Sequence, residues 1–181
     1  MSRLLAALPF ALVMISAGTA LERLQPPEIP ASGSPEFRAA TASALALLRR
    51  TTLYPMVRRY VSEVKEAKCS GMNVYGPAPS YEVGKPTWGA GAVWYAGTIA
   101  HDAHHSQLYF TAKEKAGGAE PDTLAWTGAE AEKKCLAVQL RALRELHASP
   151  ETLAYIVDVS SAPTYQNVGA GLPDPCDARD W

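Results

Sequence analysis

The sequence has little net charge and few cysteines, and each shortage excludes a class of function. Its 181 residues carry a formal net charge of −1, so the chain has no electrostatic surplus for binding nucleic acid or acidic membrane lipids. Its three cysteines form no C-x-x-C pair, which argues against a cysteine-based zinc knuckle. With 48% hydrophobic and 19% charged residues, the composition fits one folded domain of ordinary size.

Long hydrophobic runs are also scarce, and the clearest one lies at the N-terminus. Residues 4–15 are apolar but too few to span a bilayer comfortably, and they lie between Arg3 and the small residues 17–20. This pattern predicts a secretory signal peptide over residues 1–20, cleaved after Ala20, with an uncleaved membrane anchor as the alternative. We therefore expect a secreted or periplasmic protein without stable membrane insertion after cleavage.

Cysteine usage fits such a compartment. An oxidising environment and three cysteines predict one disulfide and one remaining thiol. The sequence does not specify which two of Cys69, Cys135 and Cys176 form the bond.

Proline content and apolar periodicity divide the rest of the chain. Residues 21–35 contain four prolines, which predicts a linker ahead of a single domain over residues 36–181. Helical spacing of apolar residues predicts helices at residues 36–50, 53–68, 88–113, 127–147 and 149–159. Short β-like segments at 72–75 and 81–83 predict a hairpin or ribbon before the third helix. The expected fold class is therefore α+β and mostly helical.

Three of the four histidines lie in one stretch of five residues within the third predicted helix. His101 and His105 are four residues apart, so on a helix they project from one face, as two ligands of one metal ion do. Apolar neighbours place this face toward the interior, where paired imidazoles need a partner. The spacing predicts a metal site. The alternative is an α-helical interaction protein in which these histidines bind no metal.

The next predicted helix offers two glutamates as a third ligand. Glu132 lies on the apolar face of that helix together with Cys135, where a carboxylate is costly unless it is paired or bound to metal. Glu130 lies on the wetter face and forms a predicted capping box with Thr127. We therefore predict Glu132 as the third ligand, with Glu130 as the alternative.

The order of these residues resembles the gluzincin class of zinc metallopeptidases. That class carries H-E-x-x-H on one helix and a glutamate on the next, and residues 88–139 follow the pattern with H-D-x-x-H. The resemblance implies a zincin-like domain that holds Zn²⁺ through His101, His105 and Glu132. It also implies zinc-dependent hydrolysis of a peptide or protein substrate, with Asp102 at the position of the general base.

Aspartate at this position is one methylene shorter than glutamate. A shortfall of about 1.5 Å matters, because a misplacement of 1 Å can cost about 10²-fold in rate. The same pattern therefore also fits a catalytically weak or inactive zincin-like metal-binding or interaction protein. His104 and Tyr109 are further catalytic candidates, with a surface histidine and a core tyrosine as the alternatives.

Two further expectations concern substrates. The His101-Asp102 pair also resembles secreted phospholipases A2, in which histidine is the base and aspartate helps to hold calcium, but that family has many disulfides and a glycine-rich calcium loop. If the protein is a peptidase, residues 81–83 are expected to pair with an extended substrate by strand addition.

Overall fold

The structure is a computed structural model that describes residues 28–161, and the expected signal peptide and Cys176 lie outside this range. Within residues 28–161 there are four strands: β1 (Ala31–Ser32), β2 (Glu63–Glu66), β3 (Gly71–Asn73) and β4 (Ser80–Val83). The helices are α1 (Pro35–Leu48), α2 (Tyr54–Tyr60), α3 (Lys85–Gly89), α4 (Ala92–Lys115), α5 (Gly128–Glu145) and α6 (Pro150–Ser161). The predicted α+β class, mostly helical with a small sheet, is confirmed.

The sheet has the order β1-β2-β4-β3. Strands β1, β2 and β4 are parallel, and β3 pairs antiparallel with β4 as the predicted ribbon. Because β4 has a neighbour on each side, its backbone groups are already paired. The expectation that residues 81–83 add a substrate strand is therefore wrong.

Several segments differ from their predicted structure, and the helix expected over residues 88–113 is broken at residues 90–91, between α3 and α4. The helix expected over residues 53–68 ends at Tyr60, and Glu63–Glu66 forms β2. Val64 is buried between half-buried charged neighbours, so pairing with β1 and β4 overrides the local helical spacing. In addition, Ala31–Ser32 lies in the segment expected to be a linker but forms the first strand of the sheet.

Helix α4 is the central element and packs against α1, α2 and α5. Its residues Tyr95, Ile99 and Ala103 are fully buried in the main core. At Gly97 the helix approaches α5 so closely that a Cβ atom would lie 3.0 Å from Leu143 Cδ2. Of the helices between residues 28 and 161, none is both long and apolar enough to cross a membrane.

The predicted helix starts had different outcomes. The helix predicted over residues 149–159 is present as α6, and Ser149 caps it, since its hydroxyl accepts a hydrogen bond from the Thr152 amide at 3.2 Å. The capping box at Thr127 is wrong: the Thr127 hydroxyl donates to the Thr123 carbonyl at 2.7 Å and makes no cap bond. The hydroxyl thus bonds to the preceding 3-10 turn, Thr123–Ala125, and this turn places Trp126 just before the start of α5.

Candidate metal centre

The structure brings the three predicted ligands together at the contact between α4 and α5. His101 Nε2 and His105 Nε2 are 3.1 Å apart. Both face the Glu132 carboxylate: His101 Nε2 is 3.2 Å from Oε2, and His105 Nε2 is 3.0 Å from Oε1. Each of the three residues is 6–7% exposed, so the cluster lies almost wholly out of solvent. Glu130, the alternative ligand, is exposed.

A backbone carbonyl fixes the orientation of the His105 ring. His105 Nδ1 lies 2.7 Å from the carbonyl oxygen of Trp126, which can only accept a hydrogen bond. The ring therefore carries a proton on Nδ1, and in its neutral form Nε2 presents a lone pair. That lone pair faces the Glu132 carboxylate oxygen at 3.0 Å. Two acceptors this close repel each other unless a proton or a metal ion lies between them, and His101 Nε2, at 3.1 Å, is another group that can donate to the lone pair.

Two buried atoms of the cluster lack ordinary hydrogen bonds. Within the part of the chain that the structure describes, Glu132 Oε2 is buried and makes no hydrogen bond. Its distance of 3.2 Å from His101 Nε2 satisfies an ion pair, yet the pair lacks the geometry of a hydrogen bond. His101 Nδ1 is likewise buried and unpaired among residues 28–161. A metal ion would satisfy the carboxylate oxygen, since coordination replaces the missing donor.

Cys135 is a further candidate donor beside the two histidines, and the sequence pattern did not predict it as a metal ligand. Its thiol is free and fully buried, and the ligand atoms of His101, His105 and Cys135 all lie within 4.8 Å of one another. The signal was present in the sequence, because Cys135 follows Glu132 by three residues and therefore shares its helix face. The group could hold a metal ion.

The free thiol also bears on the expected disulfide. With Cys135 unpaired, Cys69 and Cys176 are left for that bond. Cys176 lies outside the described residues, so the disulfide stays a prediction.

Electrostatics in the cluster favour a charged pair in the metal-free protein. Burial by itself lowers the pKa of His105, but hydrogen bonding with Cys135 and Glu132 raises that pKa to about 11. Burial likewise acts to raise the pKa of Glu132, yet the close polar contacts and charges of the two histidines bring that pKa well below its usual range. Burial raises the pKa of Cys135, and His105 opposes that rise. Without a metal ion, a proton on His105 Nε2 is therefore favoured beside the Glu132 carboxylate.

Asp102, the expected general base, is directed toward the sheet. It is half-buried, and burial raises the pKa of its carboxyl group, while His101, His105 and a hydrogen bond from Tyr81 act to lower that pKa. Tyr81 is fully buried on β4. Asp102 interacts electrostatically with both histidines, but it is not among the residues whose ligand atoms converge, which are His101, His105 and Cys135.

The other two catalytic candidates have partners of their own. His104 Nδ1 lies 2.9 Å from Gln107 Oε1, and burial lowers the pKa of this half-buried histidine. The Tyr109 hydroxyl donates to Glu120 Oε2 at 2.9 Å and accepts from Lys113 Nζ at 3.0 Å. The catalytic roles of Asp102, His104 and Tyr109 stay predictions.

No protein-family model, curated protein or solved structure matches the chain. The resemblance to gluzincins therefore depends on the H-D-x-x-H spacing and Glu132, and zincin-like ancestry stays a prediction.

Replacing Glu132 with glutamine in the metal-free protein removes the carboxylate that faces both imidazoles. Near pH 7 we expect the free energy of unfolding to fall by about 3 kcal/mol, as when one partner of a buried ion pair is lost. Because folding lowers the Glu132 pKa from its ordinary 4.5, its contribution is present above about pH 4.5 and is lost as the pH falls. Urea unfolding at a series of pH values measures the difference in unfolding free energy between wild type and Glu132→Gln, which should become smaller as the pH falls.

The matched control is Glu130→Gln, which changes an exposed carboxylate on the same helix and should alter stability by less than about 0.5 kcal/mol. The contribution of His105 to stability has the opposite pH dependence. It is complete below about pH 6.5 and is lost as the pH rises through about 11. A difference between wild type and Glu132→Gln that stays constant from neutral to strongly acid pH would contradict this account.

Proposed function

We propose that the protein binds one zinc ion between α4 and α5, with His101, His105 and Glu132 as ligands and Cys135 as the fourth donor. One observation carries the proposal: the His105 Nε2 lone pair faces the Glu132 carboxylate at 3.0 Å while the Trp126 carbonyl holds the Nδ1 proton. Metal-binding histidines characteristically donate their other ring N–H to a carbonyl or carboxylate in this way.

The distances between donor atoms fit one shared ion. Zinc bonds to nitrogen and oxygen are about 2.0–2.1 Å long, so tetrahedral ligand atoms lie about 3.3 Å apart. The three distances in the cluster are 3.0, 3.1 and 3.2 Å. A small outward movement of the side chains is enough to admit the ion.

The chemistry of the donors favours zinc over the common alternatives. Two imidazoles, one carboxylate and one thiolate combine nitrogen, oxygen and sulfur donors, whereas calcium and magnesium select oxygen. Zinc must displace the proton on His105 Nε2, and Cys135 must also lose its proton, so zinc binding should release protons from both groups and should strengthen as the pH rises from acid to neutral.

Burial favours a structural role for the ion. Structural zinc sites use four protein ligands and are closed, whereas catalytic sites keep one position for water. Cys135 is fully buried on the face that carries Glu132, and its ligand atom lies within 4.8 Å of those of both histidines, which supports it as the fourth donor. We therefore propose that zinc, bound by ligands from both α4 and α5, stabilises the packing of these helices and the folded state.

Zinc content measured at pH 7 after dialysis tests this proposal. Wild type should hold one zinc ion per chain, whereas His105→Ala and Glu132→Ala should each weaken binding at least tenfold in competition with a chelator. Glu130→Ala is the matched control and should bind as wild type does, because its side chain is exposed. Wild type without zinc would overturn the proposal, and unchanged binding by Glu132→Ala would remove that residue from the ligand set.

A second candidate function is zinc-dependent hydrolysis of a peptide bond. The observation that favours it is the position of Asp102, which is next to His101 on α4 and interacts electrostatically with both histidines. In such a site zinc would supply Lewis-acid chemistry, and Asp102 would accept a proton from the attacking water.

Export of the protein, expected from residues 1–20, stays a prediction.

Peptidase assays on a mixture of fluorogenic peptides separate the two candidates. With Cys135 in the fourth position, we expect the zinc-loaded wild type to show no zinc-dependent turnover, and Asp102→Glu to add none. The hydrolase candidate instead requires turnover that chelation abolishes, that Asp102→Asn removes and that Asp102→Glu raises. That second pattern would contradict the structural role.

A further inference from the structure

Three aromatic rings meet beside the metal centre, and we call them the aromatic triad: Tyr75, Tyr109 and Trp126. The ring of Trp126 lies 5.5 Å from Tyr109 and 5.9 Å from Tyr75, and the two tyrosines are 6.0 Å apart. All three pairs meet edge to face, which is a favourable arrangement of aromatic quadrupoles. Tyr109 and Trp126 are buried, whereas Tyr75 is 63% exposed.

The same Trp126 supplies the carbonyl that orients His105. That carbonyl belongs to the connection between α4 and α5, which contains the left-handed residues Gly117 and Gly118 and ends at left-handed Gly128. Next to Trp126 the 3-10 turn holds the backbone, since the Trp126 and Thr127 amides both donate to the Thr123 carbonyl. These bonds lie within the connection itself, whereas docking of the Trp126 ring on Tyr109 ties this turn to α4, which carries His105.

Tyr109 is well placed to fix the Trp126 ring relative to His105. It follows His105 by four residues on α4, so the two side chains lie one turn apart on one rigid helix. A ring held against Tyr109 therefore holds the carbonyl of the same residue at a set distance from His105 Nδ1.

We propose that Tyr109 is a positioning residue of the metal centre: its ring seats Trp126 so that the Trp126 carbonyl orients His105 toward the ion. This inference rests on the proposed zinc site and gives Tyr109 a role other than catalysis. When the ring of Tyr109 is absent, the carbonyl can leave Nδ1, and the imidazole of His105 can rotate away from the ion. Loss of such an outer partner characteristically weakens metal binding by about 10–100-fold.

The ring of Tyr109, rather than its hydroxyl group, should carry this effect. The hydroxyl contacts Glu120 and Lys113, and the Lys113–Glu120 pair of 3.3 Å is at the surface, with the Glu120 side chain 53% exposed. Exposed polar contacts of this kind contribute little, because water competes for the same groups. Tyr109→Phe keeps the ring and removes only those contacts.

Zinc affinity of folded variants tests the role. In chelator competition at pH 7, Tyr109→Leu should bind zinc about 10–100-fold more weakly than wild type, and Tyr109→Phe should bind as wild type does. The matched control is Phe37→Leu: Phe37 is fully buried and packs edge to face on Trp88 in the main core, away from the triad. It should lower stability in urea but leave zinc affinity unchanged.

A second variant keeps the test decisive if Tyr109→Leu does not fold. Tyr75→Leu removes an exposed ring from Trp126, so the fold should be retained, and zinc affinity should fall about threefold. Zinc affinity in Tyr109→Leu or Tyr75→Leu equal to that of wild type would overturn the positioning role while leaving the zinc site intact. Equal losses in Tyr109→Phe and Tyr109→Leu would also overturn it. Absence of zinc from wild type would overturn both proposals.

Discussion

The hydrogen bond between His105 and the carbonyl of Trp126 constrains the chemistry of this protein more than any other contact in residues 28–161. At 2.7 Å it keeps a proton on Nδ1 and leaves the other ring nitrogen as the donor that faces Glu132. A buried imidazole lone pair and a buried carboxylate repel each other unless a cation lies between them. In the metal-free protein a proton fills that role, and in the proposed zinc form the metal does.

The fold supplies the rigidity that such a site needs. Helix α4 is buried along much of its length, and the small residue Gly97 lets α5 approach closely. The two ligand histidines then come from one helix and Glu132 from the other, so the ion would join elements that are separated in sequence by the loop that carries Trp126. Packing thus sets the helix separation, and the proposed ion satisfies the polar groups that this packing buries.

Much of this arrangement could be predicted from local patterns. The spacing of His101 and His105 and the apolar face around Glu132 identified three donors, because helix periodicity alone decides which side chains share a face. Strand β2 could not be predicted in the same way, since it depends on pairing with distant β1 and β4. The role of Trp126 was equally hidden, because a backbone carbonyl leaves no signature in the side-chain sequence.

X-ray absorption at the zinc edge of the zinc-loaded wild type tests the central claim most directly, because it reports the atoms bound to the ion. The account predicts a four-coordinate ion with two imidazole nitrogens, one carboxylate oxygen and one sulfur, at about 2.0–2.1 Å for nitrogen and oxygen and about 2.3 Å for sulfur. A spectrum without imidazole scattering, or one with a shell of water oxygens alone, would contradict it.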